Sequence, residues 1–293
     1  MAIISRLHDI EELPTLPEVL LKVQSLTDSD DADASVLSTI IEEDPSLSAK
    51  ILRIANSTIY RRSDKRISSV ARAVTRLGFN EVRDIAVSTS LIRHFSSRST
   101  LVGHKEFWRH SITAGYLAEK IAESAVGSPD MKSMFLAGLL HDVGILIFDQ
   151  FFHDKMEQIR NKAVLSELSY LTAEVDILGT ENHAAVGGAL LEIWGLDPSV
   201  FAAVRYHHEP WKCPMNTRSA ASVVAVTEYL LCSGKIGSLE GAMNLPPREI
   251  WDLVGMGPAE AEKLSEHGEM VGDRADAVLA SDAYGTDRPL PRI

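Results

Sequence analysis

The chain has 293 residues, 45% of them hydrophobic and 24% charged, a mix that can bury a sizeable core and excludes general disorder. A formal net charge of −12 argues against unselective binding to nucleic acid. Two cysteines, Cys213 and Cys232, exclude a disulfide framework and a cysteine-rich metal site, and read as ordinary free thiols.

Charge is segregated along the first third. Residues 1–49 hold 2 basic and 11 acidic residues, net −9, whereas residues 50–110 hold 13 basic and 4 acidic, net +9. Either the two segments answer each other or the basic one offers a docking surface for an acidic partner, a nucleotide or DNA. The cluster Arg61, Arg62, Lys65 and Arg66, with only Asp64 beside it, is the best candidate for docking.

Asp44-Pro45 predicts a helix start, an N-cap acceptor followed by proline at the first helical position. Leu47, Ile51, Leu52 and Ile54 carry that helix to Asn56, which is expected to tie the helix end. Ser68-Ser69 opens another helix with Val70, Val74 and Leu77 on one face; Gly78 stops it, and Asn80 is expected to cap the next. The first hundred residues therefore read as about five short helices. After a polar break at 96–103, a helix is predicted over about 105–124, then a buried one over about 131–141. Further helices are expected at about 166–178, 183–194, 198–207 and 219–233, and in the tail near 247–254, 258–266 and 274–280. The last ten residues read as disordered. Strand alternation bounded by hairpin turns is essentially missing, so the expected fold is all-α.

The longest near-apolar stretch, Ser133 to Phe148, is interrupted by His141 and Asp142, and no membrane span is expected from it. The N-terminus lacks the features of a signal peptide, which leaves a cytoplasmic location as the expectation.

Five histidines, His110, His141, His183, His207 and His208, fall in the middle section at or near expected helix ends. Asp142 follows His141 directly. Imidazole nitrogens and carboxylate oxygens suit Fe, Mn or Zn, and a carboxylate beside a histidine can bridge two such ions. Arg109 and Arg205, each next to a candidate ligand, are candidates for holding phosphate. Trp108, Trp194 and Trp211 are expected to serve as core or rim packing.

The runs WRHS (108–111), FLAGLLHDVG (135–144), NHAAVGGALLEIWGL (182–196) and RYHHEP (205–210) resemble the HD-related output domain, or HDOD, family, an offshoot of the HD phosphohydrolases. LPTLPEVLLKV (13–23), EEDPSLSAKILRIANSTIY (42–60) and ISSVARAVTRLGFNEVR (67–83) resemble the family's leading helices. The resemblance implies an N-terminal helical subdomain (1–100), an HD-like helical core (101–235) and a helical tail (236–293). It further implies that His110, His141 and Asp142 are metal ligands, with His183, His207 and His208 matching the additional histidines of the HD-GYP phosphodiesterases. Glu228, in VVAVTEYLL (223–231), stands where the HD family has its last aspartate ligand. Two departures weigh against catalysis. Ile145 follows HDxG where those phosphodiesterases carry lysine, and EPWKCP (209–214) replaces their GYP-containing loop. The implied function is a bacterial signal-transduction module without catalysis, holding one or two divalent transition-metal ions or sensing a ligand. It would act with a separate signalling protein, or with a nucleotide or phosphorylated ligand, and not with a membrane. The alternative is a metal-dependent phosphohydrolase or phosphodiesterase in which Asp142 is central.

Overall fold

The computed structural model describes residues 3–10, 13, 15–27, 34–61, 66–95, 101–127, 129, 131–234, 245–266 and 268–280. Among the described residues the secondary structure is entirely helical. In chain order the helices are α1 (Ile3–Leu7), α2 (Glu18–Thr27), α3 (Ala34–Glu42), α4 (Pro45–Ala55), α5 (Val70–Leu77) and α6 (Phe79–Phe95). Then come α7 (His104–Ala122), α8 (Met131–Leu140), α9 (Val143–Phe151), α10 (His153–Ser166), α11 (Tyr170–Leu178) and α12 (His183–Ile193). The last are α13 (Pro198–Tyr206), a 3-10 turn at Pro210–Lys212, α14 (Arg218–Ser233), α15 (Arg248–Val254), α16 (Pro258–Glu266) and α17 (Gly268–Leu279).

Contacts divide the described chain into two compact units. The smaller comprises residues within 14–97 and 273–283 and contains α2 to α6. Its helix boundaries follow local chemistry. The Asp44 carboxylate accepts from the Ser46 and Leu47 amides at 2.9 and 3.0 Å, and Pro45 occupies the first helical position. Asn56 receives the Ile67 amide at 2.8 Å and donates to Ile67 O at 2.9 Å, so it ties the chain on both sides of the segment between them. Ser69 caps α5 and Gly78 ends it at φ +95°. Asn80 does not cap the next helix. That helix begins one residue earlier, and Asn80 sits in its first turn with its side-chain oxygen 3.5 Å from Arg83 Nη1. Within this unit Arg93 pairs with Asp44 at 2.7 Å, one bridge between the basic and acidic segments. Arg61 and Arg66 are exposed; Arg62, Asp64 and Lys65 lie outside the described residues, as do the last ten.

The larger unit, residues within 1–13 and 98–272, holds α7 to α16 and, from the N-terminus, α1. The Ile3 and Ile4 amides of α1 donate to Glu181 at 2.9 and 3.0 Å. Sequence periodicity overlooked α9 and α10, because α9 is apolar over most of its surface and α10 is mostly polar with few buried residues, so neither shows a clear amphipathic period. The expected 166–178 helix is α11, starting four residues later at the Ser169 cap. By length and composition the stretch Ser133–Phe151 is long and apolar enough to cross a membrane, contrary to the expectation from its interruption. In this fold it is α8 and α9, and 89% of its apolar window is buried inside the protein.

Close helix contact sets the frame of this unit. A Cβ at Gly138 of α8 would stand 2.6 Å from Ala114 O of α7, so glycine lets these backbones touch. A Cβ at Gly144 of α9 would stand 2.1 Å from His183 O at the start of α12. The first approach draws α7 and α8 together; the second brings the residues after His141 against His183. Trp108 is fully buried, with Nε1 3.1 Å from His104 Nε2, whereas Trp211 is exposed and Trp194 half-buried.

Candidate metal centre

Four helices and the break between α8 and α9 bring the candidate ligands together. His110 comes from α7, His141 and Asp142 from the break between α8 and α9, His183 from the first residue of α12, His207 and His208 from the end of α13, and Glu228 from α14. All lie in the larger unit. Asp142 stands at the middle, with one oxygen toward each of two groups.

Around Asp142 Oδ2, His141 Nε2 lies at 3.3 Å and His110 Nε2 at 3.5 Å. The two imidazole nitrogens are 3.1 Å apart, and Glu228 Oε2 is 3.1 Å from His110 Nε2 and 3.4 Å from His141 Nε2. Around Asp142 Oδ1, His183 Nε2 lies at 3.4 Å and His207 Nε2 at 3.9 Å, while His208 Nε2 is 3.0 Å from His183 Nε2. His110, His141, Asp142, His183, His207 and Glu228 are each at most 1% exposed; His208 is half-buried and forms the rim.

The imidazoles are held from behind. His141 Nδ1 donates to Gly138 O at 2.6 Å and His207 Nδ1 to Val204 O at 2.7 Å, which turns both Nε2 atoms inward. His183 Nδ1 instead meets the Glu174 carboxylate at 2.7 Å. Glu174 was not singled out in the sequence: nine residues upstream, it lies at no ligand spacing. Cys232, a free thiol as expected, donates to Glu228 Oε1 at 3.0 Å. The four-residue helical spacing from Glu228 was the available signal.

Electrostatics follow the geometry. Burial pushes the Asp142 carboxyl up, but the His141 and His183 rings outweigh it and hold it well below the usual range. Glu228 is likewise held low against its burial by His110 and His141. His141 is raised well above its ordinary value, the charges of Asp142 and Glu228 overcoming the opposing effect of burial. Burial and the neighbouring His141 and His183 push His207 down to about 3. His208 is also held well below the usual value, by burial first and then by His207 and His183.

These residues fit a metal. Neither oxygen of Asp142 nor Nε2 of His207 has a hydrogen-bond partner, although all three atoms are buried. A buried polar atom without a partner is costly, and a cation between the converging lone pairs would satisfy it. The donor set, imidazole nitrogen with carboxylate oxygen, suits Fe, Mn or Zn.

Arg205 pairs with Glu192 at 3.0 Å, which engages its guanidinium on the α12 surface. Arg109 directs Nη2 toward Gly272, where an added Cβ would meet it at 2.7 Å. Among the described interactions neither reaches the ligand group. Ile145 is 1% exposed, and Lys212 of the EPWKCP turn pairs with Glu209 at 2.5 Å.

Comparison with known proteins gives the arrangement its context. The HDOD domain family matches residues 13–210. The chain belongs to the HDOD family. An uncharacterized protein of Treponema pallidum (strain Nichols) is 26% identical over 217 residues, 74% of this chain; the HDOD chain spans about two-fifths (41%) of that relative's length. Among solved structures, an HDOD domain protein of unknown function from Geobacter sulfurreducens superposes with a TM-score of 0.79 at 22% identity, covering 94% of this chain and 96% of that one. A Marinobacter aquaeolei VT8 protein proposed to act in signal transduction gives 0.76 at 25% identity, over 96% and 60%. A Shewanella amazonensis SB2B protein proposed to be a phosphohydrolase gives 0.70 at 19%, over 94% and 97%. The first and third likenesses establish a shared helical fold.

Proposed function

We propose that this HDOD protein is a regulatory module of signal transduction whose histidine–carboxylate centre holds divalent transition-metal ions, one or two, without turning over a phosphoester. The observation that carries this reading is the closure of the centre: six of its seven side chains are at most 1% exposed. Structural metal sites are closed by protein ligands, whereas catalytic ones keep a position open to water and substrate. His110, His141, Glu228 and one oxygen of Asp142 would hold one ion; His183, His207, His208 and the other oxygen would hold the second. When bound, such an ion supplies positive charge and Lewis acidity to a site that carries two buried carboxylates.

Three of the positions that could supply a cation to a phosphoryl group are occupied or replaced. Arg205 is committed to Glu192, Lys212 to Glu209, and the lysine of related phosphodiesterases is the buried Ile145. Stabilising charge on a transferring phosphoryl group is a large part of its catalysis. Exposed Arg53, Arg61, Arg66 and Arg72 of the smaller unit are the surface proposed for an acidic signalling partner.

Elemental analysis before and after reconstitution with Fe²⁺ or Mn²⁺, followed by assays with p-nitrophenyl phosphate and cyclic-di-GMP, tests the reading. Metal uptake without turnover is the expected result. Metal-dependent hydrolysis that disappears in Asp142→Ala would establish the phosphohydrolase alternative instead. No metal uptake under any loading would remove both readings.

A further inference from the structure

The histidines of the centre are held in two ways. His141 and His207 lean on neutral carbonyls three residues back in their own helices, at 2.6 and 2.7 Å. His183 opens α12 and has no preceding turn to lean on. Its support is Glu174 of α11, whose Oε2 lies 2.7 Å from His183 Nδ1 and accepts the His183 backbone N–H at 2.9 Å. Glu174 is fully buried. One carboxylate oxygen thus satisfies an orphan amide at a helix N-terminus and fixes the ring of the same residue.

We propose that Glu174 is a positioning residue for the half of the centre built on His183, His207 and His208, and that it enables that half to hold its own divalent ion. The inference rests on the metal-centre reading above. The Oε2 that already accepts the His183 backbone N–H also faces Nδ1, and this contact places the ring hydrogen on Nδ1. Nε2 is then left with its lone pair, 3.4 Å from Asp142 Oδ1 and 3.0 Å from His208 Nε2.

Charge supplies the second argument. The half around His110 and His141 has the Glu228 carboxylate as well as Asp142 Oδ2. The other half has three imidazoles and only the remaining oxygen of the same Asp142. A divalent cation in a dry site needs compensating charge close by. Glu174 provides it through the His183 ring, and a carboxylate behind a ligating histidine also makes that ligand more basic. Changes at such supporting groups alter metal affinity by roughly 10–100-fold.

The test is titration of metal-free full-length protein with Zn²⁺ and separately with Mn²⁺, by calorimetry with elemental analysis of the loaded protein. Wild type is expected to take two ions. Glu174→Gln, nearly the same shape without the charge, should weaken one ion by roughly 10–100-fold and leave the other unchanged. His183→Ala should lose that same ion, and His110→Ala the other. Glu174→Gln binding metal as wild type does would overturn the role of Glu174 while leaving the metal centre standing. Wild type that binds no ion would overturn the metal-centre reading and this inference with it. Should Glu174→Gln fail to fold, nitrogen-15 NMR of the histidine rings in Zn²⁺-loaded wild type decides: His183 protonated at Nδ1 is expected, and protonation at Nε2 overturns the proposal.

Discussion

Gly144→Ala tests whether the contact between α9 and α12 sets the geometry of the centre. An added Cβ would lie 2.1 Å from His183 O and 2.7 to 2.8 Å from the His183 carbonyl carbon and Cα, where ordinary contact begins at 3.4 Å. The opposing atoms are backbone, so no side chain can swing away. The two helix starts must part by about 1 Å. Overpacking of this kind costs about 1–3 kcal/mol, occasionally more. For a unit of this size, each kcal/mol lowers the melting temperature by about 2–4 °C, so a drop of roughly 2–12 °C is expected. The same displacement lengthens the 3.4 Å approach of His183 Nε2 to Asp142 Oδ1, which should weaken metal binding at His183 more than at His110. Thermal unfolding followed by circular dichroism, paired with metal titration, measures both effects. Gly257→Ala is the control, because its Cβ would meet only Glu260 Oε2 at 4.0 Å. A Gly144→Ala protein that melts with the control and binds metal normally would refute the argument that this contact positions the site.

Four further outcomes follow from the same structure. Ile145→Lys, which restores the lysine of related phosphodiesterases, should destabilise by about 3–5 kcal/mol in urea unfolding without creating cyclic-di-GMP hydrolysis, because it puts a charge at a buried position. Arg205→Ala should cost less than about 1 kcal/mol and leave metal stoichiometry unchanged, since its partner Glu192 is on the surface; loss of metal would return Arg205 to the centre. Asp44→Ala should cost about 1 kcal/mol at pH 6 through loss of the α4 cap. Burial favours the protonated Asp44, but Arg93 and the Leu47 and Ser46 amides hold its carboxyl below the ordinary 3.8, so its contribution is present above that pH and is lost as pH falls through the lowered value. Urea titrations of wild type and Asp44→Ala at pH 6 and pH 3 should therefore converge toward the lower pH. Finally, adding Mn²⁺ at 100 times its dissociation constant should stabilise the metal-free protein by about 2.7 kcal/mol, and Asp142→Ala should abolish that gain.

Much of the helical framework was legible because its signals are local. Asp44-Pro45, Ser69 and Gly78 act on amides and carbonyls within four residues, and α4 and α5 start and stop where those residues require. Periodicity failed for α9, where apolar residues cover all but the Asp149–Gln150 positions and leave no clear polar face to detect. Asn80 misled because an asparagine near a helix start also fits inside the first turn.

The candidate ligands His110, His141, Asp142, His183, His207, His208 and Glu228 could be named from motifs whose order in the chain reflects one arrangement of helices. What those motifs could not contain is distance. Only the folded chain decides that Asp142 turns one oxygen to His110 and His141 and the other to His183 and His207, and that Arg205 is drawn off to Glu192. Glu174 belongs to the same category. Its carboxylate matters because α11 packs it behind His183, and a lone glutamate on a helix carries no local mark of what will lie across from it. Sequence determines capping and burial pattern through interactions a few residues long; the centre depends on contacts across more than a hundred residues, which exist only after the helices have packed.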